Sequence, residues 1–243
     1  YFYYSRTEEG KQYPIFVRRR GSMEAAEEVI LDMNQMAEGR RYFNLGAYEV
    51  SPDHRLLAFS VDTTGSERFT LMVKNLETGE ILPERVDSIH FGVEWAADNR
   101  TLFYTKTDEA HRPDRIFRHT LGTPASRDQM VFHEPDVLFR VGVYRTKDNE
   151  YLVLSSGSFT TSEAWVLPAD RPNEPFRLVA PREKDVLYGV NHQNGRFVIR
   201  TNVGGANNFK LVTAPESDPS RANWRDLVPH REDVLLDGFD VFR

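Results

Sequence analysis

The sequence contains no cysteine. Disulfides, thiolate nucleophiles and cysteine-ligated zinc are therefore excluded, and a reducing compartment is weakly favoured. Long apolar runs are missing as well: no stretch approaches the roughly 20 residues that a membrane-spanning helix needs. The opening Tyr1-Phe2-Tyr3-Tyr4-Ser5-Arg6 has no basic segment followed by an apolar core, so it does not read as a secretion signal; it starts abruptly in strand-like sequence, as a cut inside a longer protein would. Positive charge is not in excess. Lys and Arg number 31 against 37 Asp and Glu, a formal net charge of -6, which argues against nucleic acid or another polyanion as partner. The one basic run, Arg18-Arg19-Arg20, reads as a solvated turn.

Catalytic signatures are also lacking. The seven histidines, His54, His90, His111, His119, His133, His192 and His230, stand singly, with no HExxH or other close ligand pair, so no metal is expected. No segment reads G-x-S-x-G, the strained elbow that presents a nucleophilic serine; Gly157-Ser158-Phe159 lacks the pattern. Gly204-Gly205 has neither the Lys-Ser/Thr nor the long helix of a phosphate-binding loop and reads as a hairpin connection. Asn99-Arg100-Thr101, formally a glycosylation sequon, reads as a plain turn. No catalytic residue and no cofactor is assigned.

What is present is repetition. Four segments share the order strand, polar turn, strand: Ala47–Asp53 leading to Leu56–Ser60, Val93–Asp98 to Leu102–Thr105, Val141–Asp148 to Tyr151–Ser155, and Tyr188–Asn194 to Phe197–Arg200. Aligning Asp53, Asp98, Asp148 and Asn194 gives spacings of 45, 50 and 46 residues. Periods of about 40–50 residues with four strands each are the mark of propeller blades. Asp and Asn suit the turns because their side chains bond nearby backbone and tolerate left-handed conformations. Third strands with period-two alternation follow at Phe69–Val73, Arg115–His119, Glu163–Leu167 and Phe209–Val212. Short outer strands flanked by charge follow at Gly79–Leu82, Gln129–Phe132, Pro175–Val179 and Trp224–Val228, as an edge that must not pair with another molecule requires.

Ahead of these lies a three-stranded partial unit (Tyr1–Arg6, Tyr13–Arg18, Glu28–Leu31), and after them Val234–Phe242 reads as the first strand of a further blade. Met33–Glu38 is the single helix candidate. The expected architecture is all-β: a β-propeller of four-stranded antiparallel blades, about five blades of a ring that does not close, at approximately 1–38, 39–85, 86–134, 135–181 and 182–230, with 231–243 starting the next. An open arc would leave two blade faces bare and favour association.

Particular stretches carry a family resemblance. Tyr3–Ile15 looks like the opening hairpin of the oligopeptidase B propeller. Glu109–Arg115 followed by Arg118-His119-Thr120-Leu121-Gly122-Thr123-Pro124 resembles its third-blade segment, and Thr160–Glu163, Glu174–Val179 and Ala206–Leu211 are similar in kind and order. The whole chain thus resembles the propeller of oligopeptidase B, a serine peptidase of the prolyl oligopeptidase family. That resemblance implies one part of a seven-bladed propeller capping a C-terminal α/β-hydrolase domain. The propeller would restrict access, while the hydrolase domain would supply Ser, His and Asp for cleavage of short peptides after Arg or Lys. This segment alone should then be inactive, with that domain and short basic peptides as partners, and neither nucleic acid nor membrane.

Within the expected scaffold, Phe91 and Glu94 open the third blade's inner strand, and the resemblance implies that such residues complete substrate subsites, Glu94 by attracting a cationic peptide. Trp95 fits the core. The longer connections Thr63–Glu67 and Asp108–Asp114 are candidates for contact with the hydrolase domain. A stand-alone propeller binding protein partners is the alternative, distinguishable by whether the parent gene goes on to encode a nucleophile elbow. A propeller glycosidase using Asp62, Glu94 or Asp108 fits poorly, because these occupy different repeat positions.

Overall fold

A computed structural model describes residues 1–242 in two compact units, residues 1–91 and 92–242. The first unit opens with a sheet of three antiparallel strands, β1 (Phe2–Arg6), β2 (Ile15–Arg19) and β3 (Glu27–Asp32). After α1 (Met33–Ala37), whose Asp32 cap accepts from the amides of Asn34 and Gln35, comes a four-stranded sheet: β4 (Asn44–Val50), β5 (Leu56–Asp62), β6 (Phe69–Asn75) and β7 (Ile81–Ile89). The second unit holds three four-stranded sheets. They comprise β8 (Val93–Trp95), β9 (Thr101–Thr107), β10 (Pro113–Thr120) and β11 (Gln129–His133); β12 (Arg140–Arg145), β13 (Tyr151–Gly157), β14 (Ser162–Pro168) and β15 (Arg177–Ala180); and β16 (Tyr188–Gln193), β17 (Arg196–Thr201), β18 (Lys210–Pro215) and β19 (Arg225–Val228). Every pairing is antiparallel between chain neighbours, so each sheet is a meander.

Burial across each meander explains its strand order. The second strands β5, β9, β13 and β17 carry the unbroken apolar runs, and both of their faces are buried. A sheet covered on both faces needs exactly such a run rather than strict alternation. In the second unit, Phe103, Val141, Leu152, Leu154 and Leu167 fill one layer between consecutive sheets, and Val153, Val166, Val179, Phe197, Ile199 and Val212 fill the next. In the first unit the layer is Leu31, Met33, Phe43, Leu57, Phe59 and Val61. The outermost strands β11 and β19 are mostly exposed, whereas β15 is exposed at Arg177 and Leu178 and buried at Val179 and Ala180.

The turns between first and second strands work as their residue types imply. Asp53 Oδ1 accepts from Arg55 N, Asp98 Oδ1 from Arg100 N and Thr101 N, and Asp148 Oδ1 from Glu150 N. The next residue in each case, His54, Asn99 or Asn149, takes φ between 56° and 68°. The fourth turn is tighter, with Asn194 and Gly195 both left-handed between the paired Gln193 and Arg196.

Three stretches differ from expectation. The Arg18-Arg19-Arg20 run is not simply a solvated turn, since Arg18 and Arg19 lie on β2 and Arg18 is buried with its Nε paired to Glu28 at 2.7 Å. Strand β7 runs to Ile89 rather than stopping at Leu82, its register shifting twice against β6, because Pro83 and alternating exposed charges suit an irregular edge. Val234–Phe242 forms no strand. It is held by isolated bonds instead: Leu236 N to Asn208 O, Arg200 Nε to Leu236 O, and Gln193 Nε2 to Phe242 O.

Candidate functional site

Phe91 follows β7, and its ring lies 4.7 Å from that of Phe69 and 4.6 Å from that of His90. It is half-exposed. Glu94 is placed differently. It is buried on β8, where Oε1 accepts from Trp95 N at 2.9 Å and Oε2 from Arg145 N at 3.2 Å, with Arg145 Nε 3.6 Å away. Burial pushes its carboxyl upward, against the opposing pull of Arg145 and of the two amides. The carboxylate joins two adjacent sheets and offers no free charge to a cationic peptide. The sequence pattern could not show this, because the partner Arg145 lies a whole repeat away.

The other carboxylates weighed as catalytic groups serve their own loops. Asp62 is buried and accepts from the amides of Thr64, Gly65 and Glu67 and from the Thr64 hydroxyl. Burial pushes its carboxyl up, but those bonds outweigh it and hold the group below its usual range. Asp108 plays the same part in the next repeat, accepting from Ala110 N, Arg112 N and Arg112 Nε. Each carboxylate is thus engaged by the amides of its own loop.

A polar network spans one end of the second unit, where connections between second and third strands meet those between successive sheets. Arg112, nine-tenths buried, donates through one Nη to the carbonyls of Glu134, Asp136 and Phe139 at 2.9–3.2 Å. Glu134 accepts from Asp136 N at 3.0 Å and from Ser156 Oγ at 2.6 Å, and pairs with Arg182 at 2.5 Å. Arg182 also pairs with Glu163 at 2.9 Å and lies 4.1 Å above the Phe139 ring. Two sheets and the connection leading to a third are stitched together through residues that no local motif connects.

At the opposite end, fully buried His192 has Nδ1 2.6 Å from Asp148 Oδ2 and 3.6 Å from Glu150 Oε2, and Nε2 2.7 Å from Glu216 Oε1. Asp148, Glu150 and His192 form a group close enough to hold a cation, a juxtaposition that their spacing in the chain conceals. As it stands, Nδ1 is taken up by the hydrogen bond to Asp148, and the cluster acts as a clamp between the turn after β12 and strand β16.

A second Asp–His pair lies in the interior, where Asp128 bridges His119 at 2.7 Å and the Tyr104 hydroxyl at 2.8 Å. No helix is long and apolar enough to cross a membrane.

Comparison with known proteins assigns this architecture. Residues 1–243 match the family described as prolyl oligopeptidase, N-terminal beta-propeller domain. The chain is 43% identical to dipeptidyl aminopeptidase BI of Pseudoxanthomonas mexicana, covering 100% of this chain and 36% of that protein. It is 34% identical to Protease 2 of Moraxella lacunata, covering 98% and 37%. Among solved structures, oligopeptidase B from Leishmania major superposes with a TM-score of 0.88 at 34% identity, covering 97% of this chain and 34% of that one. The chain thus spans about a third of the length of the relatives it matches. With four-stranded meanders stacked face to face and a match running from end to end, the chain belongs to the prolyl oligopeptidase family, and its sheets are blades of that family's N-terminal β-propeller domain.

Proposed function

We propose that this segment is the access-restricting propeller of a cytoplasmic serine oligopeptidase that cleaves short peptides after Arg or Lys. The observation that carries the reading is the likeness to oligopeptidase B over nearly the whole chain, in sequence and in backbone together. In it, a C-terminal α/β-hydrolase domain of the same chain supplies the serine, histidine and aspartate, and the propeller has no chemical step of its own. Its work is exclusion. Blades cemented by apolar layers and by ion pairs such as Glu94–Arg145 and Glu134–Arg182 do not part readily, so a folded protein is kept from a buried nucleophile while a short peptide reaches it. Phe91, half-exposed after β7, is the residue we place toward the substrate.

The 43% identity to a dipeptidyl aminopeptidase supports a second reading, in which dipeptides are released from a free N-terminus. The two differ in one assay on the full-length protein. An endopeptidase cleaves an N-terminally blocked peptide after an internal Arg or Lys; a dipeptidyl aminopeptidase leaves it intact and cleaves only the unblocked form. Turnover of neither form, or a parent gene encoding no nucleophile elbow, would overturn the peptidase reading and leave a binding scaffold.

A further inference from the structure

His192 is fully buried on β16, yet both of its ring nitrogens face carboxylates. Asp148 Oδ2 stands 2.6 Å from Nδ1, and Glu150 Oε2 stands 3.6 Å from it. At the other edge of the ring Glu216 Oε1 lies 2.7 Å from Nε2 without the alignment of a hydrogen bond, so this buried nitrogen makes none within the chain. A neutral imidazole carries one N–H and cannot donate at both edges.

Charge is unbalanced as well. Three carboxylates surround one imidazole, and even a protonated ring would leave an excess of negative charge. Neither Glu150 nor Glu216 pairs with a lysine or arginine among the described residues. Lys147 pairs with Asp240 instead, and Arg177 donates to the backbone carbonyls of Glu216 and Ser217. Asp148 Oδ1 accepts from the Thr146 hydroxyl at 2.7 Å and from Glu150 N at 3.1 Å, which fixes the carboxylate with Oδ2 toward the ring. A cavity of about 390 Å³ is lined by Asp148, Glu150 and His192 together with Val241 and Phe242. A recess walled by charge of one sign concentrates the opposite ion.

We propose that Asp148, Glu150 and His192 form a zinc site, with Glu216 orienting the imidazole. One imidazole nitrogen and two carboxylate oxygens are a donor set that zinc accepts, water completing four. The ring carries its proton on Nε2, toward Glu216, and offers the Nδ1 lone pair to the metal; a carboxylate behind a ligating histidine sets the tautomer in this way. At bonds of about 2.0–2.2 Å, tetrahedral ligand atoms stand roughly 3.3–3.6 Å apart. Glu150 is already at that separation from Nδ1. Asp148 has to withdraw by less than about 1 Å as the ion takes the place of the proton between them. Bound there, zinc ties the β12–β13 turn to the first strand of the next sheet.

The test uses the full-length protein, stripped of metal and titrated with zinc chloride in competition with a chromophoric chelator. Glu150→Gln is the main variant, because that side chain is 62% exposed and its replacement disturbs no packing. Its dissociation constant for zinc is expected to exceed that of the parent by at least about tenfold, and Glu216→Ala should weaken zinc by on the order of tenfold while removing no ligand. His192→Gln should abolish the site; if that variant does not fold, the other two carry the test. Cobalt(II) in place of zinc reads the ligands directly, as the visible absorption of a four-coordinate ion in the parent that is lost in Glu150→Gln. Zinc affinity unchanged in Glu150→Gln, or calcium binding as tightly as zinc, would overturn the assignment. Peptidase activity is read at no step, so an inactive protein that binds zinc in this way keeps the site and refutes only the peptidase.

Discussion

Arg112→Ala tests how the β11–β12 connection is held. The guanidinium is buried, and three backbone carbonyls of the β11–β12 connection, together with Asp108, depend on it. Removing one partner of a buried charge cluster costs about 3–5 kcal/mol. Asp108 keeps the amides of Ala110 and residue 112 and remains partly exposed, so the carboxylate is not orphaned and the lower figure applies, about 3 kcal/mol. For a chain of this size that corresponds to a fall in melting temperature of about 6–12 °C. Arg112→Lys should recover little, because an ammonium cannot reproduce the planar fork that serves Asp108 and the carbonyls together. Calorimetry gives the shift, and hydrogen exchange resolved to residues 134–139 shows whether the loss is local. The control is Arg55→Ala, which removes an exposed pair with Glu77 and should change stability by no more than about 0.5 kcal/mol. If Arg112→Ala melted within about 1 °C of the parent with unchanged exchange at 134–139, the claim that this guanidinium fixes the connection would fall.

Glu134→Gln should alter acid stability. Burial pushes the Glu134 carboxyl up, but Arg182, Ser156 and the Asp136 amide prevail and hold it below its ordinary value of 4.5. Its contribution is therefore full above that value and is lost as pH falls through the lower folded-state value, so urea midpoints of the parent should drop along that limb and those of the Gln variant should drop less. Tyr188→Phe deletes a buried hydroxyl that accepts from Ala164 N and donates to Ala180 O, tying β14 to β15; burial has raised its pKa to about 12. A destabilisation of about 1–3 kcal/mol by urea titration is expected. Gly46→Ala places a methyl 2.6 Å from Ser60 Oγ and 2.7 Å from the buried Phe69 ring, so overpacking should cost about 1–3 kcal/mol, and the double variant with Ser60→Ala should recover little because the ring still clashes.

The meanders were legible because their causes are local. Asp98 turns the chain whichever sheet lies next to it, and Leu102-Phe103-Tyr104 announces a strand covered on both faces by apolarity alone. The outer strand β7 looks shorter in sequence because Pro83 and the charges around it resemble a loop, while its pairing to Ile89 is set by β6. Glu94 shows the same limit at the site. A glutamate opening an inner strand is a plausible ligand for a cationic peptide until Arg145, 51 residues on, takes up its charge.

From the residues alone came the number and order of the blades, the absence of a nucleophile elbow, and a family resemblance spread over the chain, all properties of short windows or of their spacing. Which charges face one another across sheets, and which apolar residues stay outside, was decided only by the stacking of one meander on the next. Val137, Leu138 and Phe159 have the composition of core residues and lie on the surface, while Arg112 and His192 have the composition of surface residues and lie within. Burial belongs to the packed neighbour, and that neighbour is a repeat away in the chain.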